Sequence, residues 1–198
     1  MRLTSWLLLG ATLGLTACGG ASEWATDAEV SQFRYADGGT TSVTLYTVIR
    51  IRSGEGGHTA LLIDGSERVI WDPAGTWWYP QSPERNDLHY GITPWLENHY
   101  IDYHAREDWS VVEQRIEVDA ATADAMIAAF AANGAVGKAN CARVTSSILR
   151  EFPGFESLST TWWPVTIMEE FATLPGVETK TYYDDDDADR TNPLRVVQ

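Results

Sequence analysis

One cysteine and one histidine have residue types and surroundings that suit them to act together. Cys141 lies in Asn140-Cys141-Ala142-Arg143-Val144, at the first turn of a segment whose Val144, Ile148, Leu149 and Phe152 form an apolar stripe at helical spacing before Pro153-Gly154 stop it. At a helix start the first N–H groups lack intrahelical partners and the dipole presents its positive end, and both lower a thiol pKa. A thiolate there attacks a carbonyl carbon, and the same N–H groups stabilise the oxyanion that develops. The base it needs is offered by His58, which follows Gly56-Gly57 and, at period two, shares a face with the small Ala60 and with Leu62. A free cysteine is also a good small core residue, and a single histidine is most simply a satisfied or surface one.

Asp72 is the third candidate. The runs His58-Thr59-Ala60-Leu61-Leu62-Ile63 and Glu67-Arg68-Val69-Ile70-Trp71-Asp72 flank Asp64-Gly65-Ser66, which is hairpin chemistry. With that three-residue turn Ile63 pairs with Glu67, and His58 stands opposite Asp72, where a carboxylate orients an imidazole. A two-residue turn puts Trp71 opposite His58 instead and sends Asp72 to the other face.

These residues need a scaffold, and the pattern supplies one. Residues 42–52 are dense in β-branched side chains and read as a strand, followed by the glycine-rich turn Gly54 to Gly57 and the hairpin. Residues 73–107, rich in Trp, Tyr, Pro and His, read as an irregular insertion with a short helix at 94–99. Residues 109–118 alternate as a further strand, and Asp119 or Thr122 caps an alanine-rich helix to about Ala132. Gly134 and Gly137 mark the turn before the cysteine helix. Strands early and helices late predict an α+β domain.

The 198 residues carry a formal charge of −14, which repels nucleic acid and excludes it as a partner. At the N-terminus, Arg2, the apolar stretch from Trp6 and the small residues up to Ala17-Cys18 lay out a secretory signal, too short to span a bilayer. The segment resembles a bacterial lipoprotein signal. That resemblance implies removal of residues 1–17, lipid attachment at Cys18 with the acyl chains, palmitate among them, holding the protein in the membrane, and, with Gly19 next, the outer membrane facing the periplasm. Residues 18–42 then form a tether and 43–198 a single domain. With Cys18 lipidated, Cys141 has no partner for an internal disulfide.

The order of the motifs resembles the circularly permuted NlpC/P60 papain-like superfamily, which includes LRAT-like families. In that group a Gly-His-aliphatic strand comes first and an Asn-Cys helix start last, as Gly57-His58 and Asn140-Cys141 do here, over about residues 43–152. The resemblance implies a permuted papain-like domain, an antiparallel sheet with the cysteine helix packed on it. It implies a cysteine hydrolase of the thiol protease kind with Cys141 as nucleophile, His58 as base and Asp72 as third residue. An envelope location makes a peptidoglycan peptide the first substrate expected. A lipid substrate, cleaved or transferred, is the competitor, and a non-catalytic binding lipoprotein is the alternative of another class. A monomer is expected, with no cofactor.

No metal is expected: His99, Asp102, His104 and Glu107 crowd together but match no ligand pattern. Trp77-Trp78-Tyr79 and Trp162-Trp163-Pro164 suit either core packing or a groove for sugar or lipid. The run Asp184 to Asp187 reads as a solvated loop.

Overall fold

The computed structural model describes residues 24–184. The signal segment, Cys18 and, from the acidic run, Asp185 to Asp187 lie outside them. The first element, α1 (Asp27–Gln32), is a single capped turn and a half in which Thr26 and Glu29 bond each other's backbone N–H. Over its described part, the stretch read as a tether is therefore docked on the domain. Ala25 N–H donates to Glu84 O, the Arg85 guanidinium reaches Ala25 O and Asp27, and Arg68 N–H donates to Tyr35 O.

Three strands follow as an antiparallel meander, β1 (Ser42–Arg50), β2 (Gly56–Asp64) and β3 (Arg68–Trp71). The segment expected to be irregular holds three elements. β4 (Glu84–Arg85) and β5 (Leu88–Tyr90) make a small hairpin whose two turn residues, Asn86 and Asp87, both take positive φ, as type I′ turns require. Then α2 (Pro94–His104), capped by Thr93 and opened by proline, runs five residues beyond the expected end. β6 (Trp109–Glu117) and α3 (Ala120–Asn133, capped by Asp119) fall where the pattern put them. After α4 (Cys141–Leu149) come α5 (Pro164–Phe171) and the exposed edge strand β7 (Glu178–Tyr182), which the pattern did not signal.

The strands form one antiparallel sheet in the order β4-β5-β3-β2-β1-β6-β7, and the domain is α+β. Odd-numbered residues of β1 to β3 (Val43, Leu45, Leu61, Ile63, Val69, Trp71) face α3, α4 and α5, whose Met126, Phe130, Ala142, Leu149, Ile167 and Phe171 complete that layer. Even-numbered residues (Tyr46, Ala60, Leu62, Ile70) face α2 and the loop carrying Trp77. Among the described residues no helix is long and apolar enough to cross a membrane.

The β2–β3 register differs from the expected one in a way that spares the site. Asp64 pairs with Arg68 and Leu61 with Trp71, so the three-residue loop is Gly65-Ser66-Glu67 and the pairing has slid by two positions. A slide of two keeps side-chain parity, so Asp72 stays on the face of His58, displaced along it instead of directly opposite. The pairing of β2 with β3 stops at Leu61, because Pro73 cannot extend the ladder. The first half of β2, which carries His58, thus has β1 on one side and room for the start of α4 on the other.

Candidate active site

α4 begins without a side-chain cap. Asn140, in the capping position, spends its amide on Gly137 O and Lys138 O, and its Oδ1 accepts from Arg143 Nε. The first N–H groups of the helix consequently have no side-chain cap, and the backbone N–H of Ala142, together with that of Thr59 from the half of β2 that β3 does not reach, lowers the Cys141 pKa. Cys141 is a free, buried thiol near enough to the His58 imidazole for each to shift the other's pKa. His58 Nε2 lies 2.6 Å from Asp72 Oδ1, so the ring nitrogen facing Cys141 is Nδ1. Sequence reasoning named Cys141, His58 and Asp72, and the structure brings all three together.

Charge is distributed to match. Burial opposes protonation of His58, yet the Asp72 carboxylate, by charge and hydrogen bond, and the Cys141 thiolate outweigh it and raise the pKa to about 10. Burial also pushes the Asp72 carboxyl up, but His58 first, then His104 and His89, pull it below the usual carboxylate range. For Cys141 the burial effect, upward, is overcome by the hydrogen bond and charge of His58 and by the N–H groups of Thr59 and Ala142, so the thiol is more acidic than an ordinary one. The arrangement favours a thiolate beside an imidazolium.

Several supports were not foreseen. Tyr100 Oη, fully buried, donates to Asp72 Oδ1 at 2.8 Å, and His104 stacks on His58 with ring centroids 5.8 Å apart. Both lie on α2 one helical turn apart, a spacing visible in the sequence once 94–104 is read as one helix. α2 is itself fastened by Arg68, buried between Asp64 (3.1 Å), Glu97 (2.6 Å) and the Ile92 carbonyl (3.1 Å). Asp87 holds the two loops that carry the site. Its carbonyl accepts from Asp72 N–H, and its Oδ2 accepts from Ala74 N–H and from Val136 N–H ahead of α4. Gly75 is required by space, since a Cβ there would stand 1.8 Å from Asp72 Oδ2. At Gly57 a Cβ would meet the Trp109 ring at 2.5 Å, so glycine beside His58 lets that indole lie against the backbone.

The remaining candidates separate. His99 accepts from Trp77 Nε1 at 3.0 Å and Asp102 pairs with Arg106, so the four-residue cluster noted in sequence does not assemble, and only His104 of it joins the site. Trp77 is buried, while Trp78, Trp162 and Trp163 are exposed. Arg143, two residues after Cys141 in α4, lies over the Trp162 ring, 4.9 Å from its centroid. Beyond Gly57, a bay of about 350 Å³ is lined by Glu55, Gly56, Trp109, Trp163, Pro164 and Val165. Larger clefts, of about 490 and 610 Å³, lie along α1 and the Tyr79 loop, away from the thiol. No protein-family model, no curated protein and no solved structure matches the chain.

Proposed function

We propose that the protein is an envelope-anchored cysteine hydrolase of the permuted papain-like type, held by lipid at Cys18, that cleaves an amide through a Cys141 thioester. The observation that carries this reading is the alignment of an acidified Cys141 thiol at an uncapped helix start with a His58 imidazole oriented by Asp72. In the reaction the thiolate adds to the carbonyl carbon, and the N–H groups at the start of α4 receive the oxyanion. His58 gives its Nδ1 proton to the departing amine as the C–N bond breaks. Water then attacks the thioester, His58 takes its proton, and the thiolate leaves as the carboxylic acid forms. Asp72 holds the ring in place and compensates its charge in both steps.

Peptidoglycan peptides are the first substrate class, on the reading of the N-terminus as an outer-membrane lipoprotein signal. The bay beyond Gly57 favours a second reading, an acyl hydrolase or acyltransferase acting on phospholipid, since Trp109, Trp163, Pro164 and Val165 in its lining suit a hydrocarbon chain. Incubation of the purified chain with muropeptides and, separately, with phospholipid micelles decides between them. Consumption of one that is lost in Cys141→Ala identifies the substrate class. Consumption of neither, with ligand affinity that survives Cys141→Ala, makes the protein a non-catalytic envelope-binding lipoprotein instead.

A further inference from the structure

We propose that His58, Asp72 and His104 form a zinc site whose occupancy switches off the chemistry of Cys141. The switching half rests on the hydrolase reading above, and the binding half does not.

One donor atom from each of the three residues lies within 4.8 Å of the other two. Tetrahedral ligands about 2.0–2.2 Å from zinc stand roughly 3.3–3.6 Å apart, so small side-chain rotations close the site. The rings of His58 and His104 are nearly parallel, at 10°, and border the same carboxylate. His104 Nδ1 bonds the Tyr100 carbonyl at 2.9 Å, the kind of backbone contact that orients a metal-binding imidazole. Tyr100 Oη donates to Asp72, which supports the third ligand in the same manner. Asp72 is buried, and its Oδ2 has no hydrogen-bond partner among the described residues, so the carboxylate keeps unspent acceptor capacity. Two imidazoles and a carboxylate suit zinc, whereas calcium and magnesium take oxygen donors. Three protein ligands leave the fourth position to water.

The proton on His58 Nε2, shared with Asp72, leaves to solvent as Zn²⁺ takes that nitrogen, so one proton is released per ion bound. Nδ1–H remains toward Cys141, so the thiolate keeps its donor. The metal-bound ring no longer alternates between acid and base, and turnover stops while the sulfur stays nucleophilic.

The test uses the full chain, stripped of metal and kept in detergent, titrated calorimetrically with zinc chloride and spectroscopically with Co²⁺. His104→Asn is the partner variant, because its amide can still reach the Tyr100 carbonyl but supplies no imidazole donor; circular dichroism checks its fold. Expected are one zinc per chain, affinity lower on the order of 100-fold in the variant, and tetrahedral cobalt bands without a thiolate-to-metal charge-transfer band. Iodoacetamide still labels Cys141 in the zinc complex. Absence of stoichiometric binding, equal affinity in His104→Asn, or a thiolate charge-transfer band in the native chain overturns the site, the last two irrespective of how the variant folds or of activity. Zinc binding as expected, with ordinary thiol behaviour of metal-free Cys141, would leave the metal site standing and remove the hydrolase reading.

Discussion

On the sheet face toward α3, α4 and α5, Leu45, Leu61, Ile63, Met126, Phe130, Ile167 and Phe171 pack with buried hydroxyls (Thr47, Thr59, Thr145 and Ser146) but no charged side chain among them. The face toward α2 is built otherwise. There Tyr46, Trp77 and Tyr100 sit beside Arg68, Asp72 and His89, and hydrogen bonds tie ring to ring and charge to charge. Burial of apolar area stabilises the first face, roughly in proportion to that area. In the second, each buried polar group must find its partner or cost stability, so its geometry is held tightly. His89 shows the cost: burial, only partly offset by Asp72, pushes its pKa down to about 4, and it is kept neutral against Trp77. Cys141 comes from the first face and His58 from the second, and they meet where β3 stops short. The apolar layer thus fixes where the thiol is, and the polar layer fixes the orientation and charge of the imidazole beside it.

That division is broken most strongly by His58→Ala, which is expected to lower turnover on the order of 10²- to 10⁴-fold, read by substrate consumption, while denaturant unfolding shows a folded protein. The converse change is Phe130→Ala, in contact with Trp71 at a centroid distance of 5.1 Å. It should destabilise the domain by about 3–5 kcal/mol in guanidinium titrations, with the pH profile of Cys141 alkylation unmoved in the folded fraction. A change in that profile would show that the two layers are not separable.

Gly75→Ala tests the polar layer through space alone. Its Cβ drives into the Asp72 carboxylate, and a destabilisation of about 1–3 kcal/mol should come with weakened coupling of His58, visible as a lower imidazole pKa by NMR. The pH dependence of stability carries the same signature. Because the folded pKa of His58 is raised to about 10, its ion pair contributes fully below the unfolded value near 6.5 and is lost as pH climbs through 10. The stability difference between the native chain and His58→Ala should therefore shrink over that window, and a constant difference would contradict the ion pair. The smallest effect expected is that of Tyr100→Phe, about 1 kcal/mol, with Asp72 easier to protonate once a donor to it is lost.

How much of this was legible in the sequence follows the same division. The helical face was readable because strand alternation and the α4 stripe are single-element patterns, and the uncapped cysteine turn belongs to one helix. The placing of Asp72 on the face of His58 survived an error in the hairpin loop because the slide was by an even number of residues. α1 was missed since one and a half turns carry no periodicity, although Thr26 and Glu29 stand at capping-box spacing. The polar layer was hidden because Tyr100, His104 and Asp87 reach the site through contacts between distant segments. Asn86-Asp87 did advertise a tight turn, but nothing local says that Asp87 binds the backbone on both sides of the site.

The central claim is that Cys141 and His58 act as one ionised pair, and the rate of Cys141 alkylation by iodoacetamide against pH tests it most directly. An ionised pair gives a rate that plateaus below the ordinary thiol pKa of about 8.5, with the plateau lost in His58→Ala. Slow labelling that rises only through the ordinary thiol range, or a curve indifferent to His58, would contradict it and leave Cys141 as a buried structural thiol.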